Sequence, residues 1–154
     1  MVEKSTIIQD VFKEFYNRLK DDVDTVTLND DSERTIQNYT SSYPDIQNSS
    51  KSDYPILIVG SPDISWTNHT LGKKQAEGTI DIEIITTKKE AGDLFADKIC
   101  NSIETYRGEF RDEGLKNIQL SSSDYDFFDR GKIKLHNKSL TFEWEFIFNK
   151  TKAY

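Results

Sequence analysis

A change from a strand pattern to a helix pattern within residues 76–106 constrains the fold of this chain more than any other stretch. Residues 78–87 alternate apolar and polar side chains, which predicts a strand with its isoleucines on a core face and its polar residues on a wet face. Directly afterwards, over 88–106, the apolar residues recur at helical spacing. Such a unit needs further strands beside it and a second helix to cover the sheet.

The rest of the chain supplies those elements. An amphipathic helix is predicted over 6–20, and a strand buried on both faces is predicted over 54–60, where a continuous apolar run lies between Pro and Gly. A third strand is predicted at 115–120, and strict alternation over 140–148 predicts the last one. The apolar face of that last strand would carry Leu140, Phe142, Trp144, Phe146 and Phe148.

Three polar stretches between these elements are predicted as loops, at 29–53, 61–75 and 121–131. A short strand near 25–28 precedes the first of them. A structureless loop as long as 29–53 is rare in a compact domain, so we expect it to be mobile or to be ordered by a neighbouring subunit. Capping boxes are predicted at the helix starts, by the pair Thr6 and Gln9 and by the pair Thr87 and Glu90.

These elements predict one domain over 1–154, of the α+β class, with the long polar loop at about 29–53. We expect a single mixed or antiparallel sheet of about four strands, with two helices packed on one face. Only 35% of the residues are apolar and 31% are charged, which predicts a thin core under a large polar surface.

The charge and the ends of the chain limit the classes of partner. The net charge is −7 and there is no Lys/Arg block, which disfavours tight wrapping around nucleic acid. The first residues do not resemble a signal peptide, and no run approaches the roughly 20 apolar residues that span a membrane, so we expect an intracellular or particle-bound protein with no membrane partner.

A search for chemistry finds no catalytic, metal or cofactor constellation, and we expect no enzyme activity and no cofactor. His69 and His136 lack neighbouring ligands at metal spacing, and the glycines do not form a phosphate loop. The single cysteine, Cys100, is expected to be a semi-buried hydrophobe. Three carboxylates at Asp124, Asp126 and Asp129 do not have EF-hand spacing and are read as a solvated acidic loop.

The order of the parts carries a resemblance to a known family. The residues concerned are 53–62, with the sequence DYPILIVGSP, then 78–87 followed by the helix 88–106, and then 132–148, where KSLTFEWEF enters the last strand. In this order and spacing the chain resembles the tail terminator proteins of long-tailed bacteriophages and related archaeal viruses, also called tail completion or tail-to-head joining proteins. The length and polarity of 29–53 depart from the pattern.

The resemblance implies a structural virion protein of the head–tail junction, assembled in the host cytoplasm. It implies a homo-oligomeric ring of six subunits that caps the tail tube protein, docks the head-completion or connector protein, and leaves a channel through which DNA passes without specific binding. A head-completion or neck connector protein is the nearest alternative, and a small non-catalytic adaptor domain is another. The acidic composition agrees with a channel along which DNA slides.

Candidate interface residues come from the aromatic side chains that lie outside the core periodicities. They are Trp66 in the predicted loop 61–75, and Tyr125, Phe127 and Phe128 in the predicted loop 121–131. For Trp66 the sequence leaves two roles open, a lid over the core edge or an exposed contact residue.

Overall fold

A computed structural model describes residues 2–70, 73–130 and 133–149. These residues form three α-helices, α1 (Ile7–Asp22), α2 (Lys89–Thr105) and α3 (Arg107–Asp112). They also form eight strands, which are β1 (Thr25–Thr27), β2 (Glu33–Thr35), β3 (Asn38–Thr40), β4 (Ile56–Val59), β5 (Asp63–Thr70), β6 (Lys73–Thr86), β7 (Lys116–Arg130) and β8 (Ile133–Asn149).

The predicted single sheet of about four strands with two helices is wrong. The structure has a mixed sheet of six strands and a separate two-stranded sheet of β1 and β2. Two of the predicted loops are strands, because 61–75 holds β5 and the beginning of β6, and 121–131 lies largely within β7. Their polar residues pair with long neighbouring strands, and this pairing outweighs their weak strand propensity.

The large sheet is organised around β6. Its order is β3-β4-β6-β8-β7, and β5 also pairs with β6. Along one edge, β6 pairs with β5 near its start and with β4 near its end, while β8 follows its other edge from Lys73 to Thr86. All of these pairs are antiparallel, and β3 is parallel to β4.

The main core lies on the face of the sheet that α1 and α2 cover, called here the helix face. The predicted alternation is confirmed, because Ile80, Ile82 and Ile84 of β6 are buried there. On β8 the same face buries Leu140, Phe142, Trp144 and Phe146, whereas the side chain of Phe148 lies outside the described part. The helices predicted over 6–20 and 88–106 are also confirmed as α1 and α2.

A second, smaller core lies on the opposite face, called here the back face. It contains Tyr54, Ile56, Ile58, Ile85 and Leu135, with Ile46, Ile133 and Phe128 packed against it. All four residues of β4 are buried, which confirms the prediction of a strand covered on both faces. The back-face cover comes from the segment before β4, which includes Ile46 in a 3₁₀ turn.

The polar passage 29–53 is ordered by its own chain. It contains β2, β3 and two 3₁₀ turns, at Ile46–Asn48 and Lys51–Asp53. The hydroxyl of Tyr43 donates a hydrogen bond to Glu83 on the back face, and Asn137 Nδ2 donates to Glu83 Oε1 over 3.1 Å. Burial and the bond to Glu83 raise the pKa of Tyr43 to about 12.

Both predicted capping boxes are wrong. Thr6 is the residue before α1, but its hydroxyl donates to Asp10 Oδ2 over 2.5 Å instead of capping the main chain. At α2 the N-cap residue is Lys88, and Glu90 instead accepts a 2.7 Å hydrogen bond from the main-chain nitrogen of Asn29. The side chains of Thr6 and Glu90 therefore form hydrogen bonds other than the capping bonds that the sequence predicts.

Gly78 allows β5 and β6 to pack closely at the middle of the sheet. A Cβ atom built at this position would lie 1.7 Å from the main-chain oxygen of Asp63 and 2.9 Å from Cζ2 of Trp144. Any residue with a side chain would therefore push β5 or the indole away.

Candidate functional site

The four predicted interface residues lie at two separate places on the sheet. Trp66 is in β5, at one edge, whereas Tyr125, Phe127 and Phe128 are in β7, at the other edge. The prediction that they stand in loops is wrong, because all four belong to strands. Their role as interface residues stays a prediction.

Tyr125 and Phe127 form an exposed aromatic group with His136 on the helix face. The Tyr125 hydroxyl and His136 Nδ1 are 2.7 Å apart, and the two rings stack with their centroids 5.9 Å apart. The Phe127 centroid is 5.2 Å from that of His136, and the Lys89 ammonium lies 5.2 Å from the Tyr125 centroid. Burial and the charge of Lys89 lower the pKa of His136, so the ring is mainly neutral near pH 7.

Phe128 differs from its neighbours because successive side chains of a strand point to opposite faces. It is half-buried and packs against the back-face core, opposite Leu135 of β8. Phe128 is therefore mainly a core residue, and only Tyr125 and Phe127 present exposed rings at this edge, each 44% exposed.

Trp66 belongs to an apolar groove between the start of α1 and β5. Trp66 pairs with Ala76, which is fully buried in the helix-face core, so the indole lies on the helix face. The groove has a volume of about 580 Å³ and is lined by Ile8, Pro62, Ile64 and Trp66 among others. Trp66 is 40% exposed, so it borders this groove with part of the indole in solvent, and both roles considered for it stay predictions.

A second groove runs along the helix face between α2 and β7. It has a volume of about 370 Å³, and Leu120 and Cys100 line it together with Asp93 and Asp97. Leu120 is 44% exposed. Burial, and then the charge of Asp97, raise the pKa of the Cys100 thiol, which agrees with the predicted semi-buried hydrophobe.

Sequence reasoning missed Ile8 and Leu120 as candidate contact residues. Ile8 is an apolar residue of α1, yet it is 53% exposed. The buried residues of α1 recur every four positions, at Ile7, Val11, Phe15 and Leu19, and Ile8 lies beside that stripe. This spacing was a signal in the sequence, whereas the exposure of Leu120 depends on β7 being an edge strand.

The middle of the back face, along β6 and β8, is acidic. The register of β6 and β8 places five carboxylates there, which we call the acidic face: Glu77, Asp81, Glu83, Glu143 and Glu145. Side-chain amides donate to four of them: Asn117 to Glu145 over 2.6 Å, Gln119 to Glu143 over 2.9 Å, Asn137 to Glu83 over 3.1 Å and Gln75 to Glu77 over 3.4 Å. A shallow concavity of about 340 Å³ lies over this region.

The described residues contain no group of three or more His, Cys, Asp or Glu side chains that could hold a metal ion. Asp124, Asp126 and Asp129, expected in a loop, all lie in β7 and are exposed. Of the helices in the described ranges, none is both long and apolar enough to cross a membrane.

No protein-family model matches the chain, and no curated protein matches it. Among solved structures, a chain of the "Virion of native gene transfer agent (GTA) particle" is similar over 73% of this chain and 79% of that chain. The identity is 14% and the TM-score is 0.35.

Proposed function

We propose that this chain is a non-enzymatic structural protein of a virion, located at the head–tail junction. In this role, copies of the chain form a ring that caps the tail tube and joins it to the head connector, and DNA passes through the ring. The proposal rests on the order of elements that resembles the tail terminator family, and the observation that carries it in the structure is the acidic face.

The acidic face has the electrostatic character that a DNA passage needs. Its carboxylates repel phosphates, so duplex DNA in contact with this surface gains no charge neutralisation and remains free to slide. Each carboxylate stands on a central strand, β6 or β8, which fixes the surface rigidly. The helix face cannot serve in this way because α1 and α2 cover it.

The first experiment measures assembly. The mass of the purified protein would be determined by light scattering after size exclusion, over a wide concentration range, alone and with tubes of the cognate tail tube protein. We expect rings, either in solution or only on tube ends, visible by negative-stain electron microscopy. A protein that stays monomeric and ignores tube ends would contradict the proposal, and binding to the portal side alone would favour the head-completion alternative.

The second experiment tests the acidic face. Replacing Glu143 and Glu145 by Lys changes the charge of this face by four units, and we expect particles carrying the variant to release their DNA more slowly, especially at low salt. Replacing Asp21 and Asp112 by Lys makes the same charge change at exposed positions of α1 and α3. Equal DNA release by both variants would show that the acidic face does not line the passage.

A further inference from the structure

The described six-stranded sheet has three edge strands, β3, β5 and β7, of which β5 and β7 are the long ones. Within the described residues, β7 pairs only with β8, and β5 pairs only with β6. Each of these strands therefore has one row of main-chain N–H and C=O groups that no described strand pairs with, a template for strand addition. On β7 the register is regular from Ser122 to Arg130, and that stretch contains no proline.

The directions of the two long edge strands, β5 and β7, allow them to pair antiparallel between two copies. Each of the pairs β5–β6, β6–β8 and β8–β7 is antiparallel, so β5 and β7 run in opposite directions. The β7 edge of one copy can therefore pair antiparallel with the β5 edge of a second copy and continue the sheet. Such a contact is head-to-tail, and it closes into a ring when the rotation per copy allows it.

The exposed apolar side chains at both edges lie on the helix face. Trp66 of β5 does so through its pairing with the buried Ala76. Tyr125 of β7 pairs with Lys138, which pairs with the buried Ile84, so Tyr125 shares that face, as does Phe127 two residues later. A sheet continued across the two edges would bring the indole against these rings and remove them from water.

The groove at the β5 edge lies beside the same contact, because the exposed Ile8 and Trp66 both line it. Leu120 lies five residues before Tyr125 on β7. In an antiparallel pairing it therefore falls on the far side of Trp66 from this groove and takes no part in the contact.

Charge selects this pairing over a pairing of two β7 strands. On the back face of β7, Asp124 and Asp126 would stand opposite their own copies in an antiparallel β7–β7 contact, which is unfavourable. The corresponding face of β5 offers the uncharged Ser65 and Thr67. Its one carboxylate, Asp63, lies opposite residue 128 or 130 of β7, and not opposite an aspartate, when Trp66 lies opposite Tyr125 or Phe127. The occupant that fits the β7 edge is therefore the β5 edge of a second copy.

We propose that adjacent copies of this chain join by antiparallel pairing of β7 with β5, with Trp66 packed against Tyr125 and Phe127 on the helix face. This inference rests on the proposed ring and assigns the surface that forms it.

Two variants of the full chain test the pairing. Trp66→Glu disables the β5 edge, and Phe127→Glu disables the β7 edge. We expect the unaltered protein to associate beyond a dimer and each variant alone to associate at least tenfold more weakly. An equimolar mixture of the two variants should form a 1:1 dimer and nothing larger, because it retains one intact pair of edges. The matched control is Gln47→Glu, which adds one charge at an exposed residue outside both edges.

The outcomes separate this inference from the proposed function. A variant that associates like the unaltered protein, a mixture that stays monomeric, or an unaltered protein that is monomeric at every concentration would overturn the pairing. If unaltered protein and both variants cap tube ends equally well, the pairing is wrong and the head–tail role stands. If the mixture dimerises but the unaltered protein never binds tubes or particles, the pairing stands and the head–tail role is wrong.

Discussion

Replacing Gly78 by Ala should be one of the most destabilising single changes in this chain. The new Cβ would lie 1.7 Å from the main-chain oxygen of Asp63 and 2.9 Å from Cζ2 of Trp144, whereas real Cβ atoms essentially never come within 3.0 Å of such neighbours. The first clash involves main chain, so it cannot be relieved by a change of rotamer. β5 has to move away from β6 by more than an ångström at this point.

The size of the effect follows from what that movement breaks. Moving β5 weakens the pairing of Asp63 with Thr79 and of Ile64 with Gly78, and a main-chain hydrogen bond contributes about 1 kcal/mol net. Strain from the extra methyl group adds about 1–3 kcal/mol. We therefore expect Gly78→Ala to lower the free energy of unfolding by about 2–4 kcal/mol, and to lower the Tm by roughly 5–15 °C.

Urea unfolding followed by circular dichroism, at a protein concentration low enough to prevent association, measures this loss. Gly108→Ala is the matched control, because a Cβ at Gly108 meets nothing within 4 Å and the residue lies in α3. There alanine should be neutral or should stabilise by about 0.5–1 kcal/mol. A loss below about 0.5 kcal/mol for Gly78→Ala would refute the close approach of β5 and β6 at this residue.

Three further measurements test other parts of the structure. Phe15→Ala removes a fully buried ring whose centroid lies 5.0 Å from that of Phe110, and it should lower the free energy of unfolding by about 3–5 kcal/mol in the same urea assay. Because the folded-state pKa of Tyr43 is raised to about 12, its contribution to stability should be present below pH 10 and lost between pH 10 and 12, and Tyr43→Phe should remove that part of the pH dependence in thermal unfolding. The raised pKa of Cys100 predicts that its thiol reacts with a disulfide reagent at pH 8 more slowly in the folded protein than in urea, and equal rates would contradict its burial.

The residue pattern predicted the elements that are rich in apolar residues. α1, α2 and the apolar faces of β6 and β8 are confirmed, because each carries enough apolar residues at one spacing to identify its buried side. β4 is confirmed because a continuous apolar run indicates a strand buried on both faces. The residue pattern failed to predict segments whose structure depends on hydrogen bonding to a neighbouring strand and not on burial of apolar side chains. In β7 the stretch 121–126 is largely Ser and Asp, yet β8 provides a continuous partner for it.

The same reason explains the errors at the candidate site. Trp66 and Phe127 are candidates because they lie outside the apolar periodicities of the core, and both do lie at exposed positions. Their assignment to loops failed because the alternation around them is short and includes Asn, His and Asp. Phe128 could not be separated from Phe127 without knowing that both belong to one strand, whose neighbours point to opposite faces.

The position of β8 has a consequence for the order in which this sheet can fold. β8 follows β6 and β7 in the sequence but lies between them, and it pairs Lys73 with Asn149. Until β8 has been synthesised, β7 has no neighbour in the sheet and one whole edge of β6 is open. Contacts between residues so far apart in sequence form slowly, because a long loop must close before the contact is gained. The nascent chain therefore exposes strands with unpaired edges during synthesis. Slower translation across 133–149 should increase its aggregation.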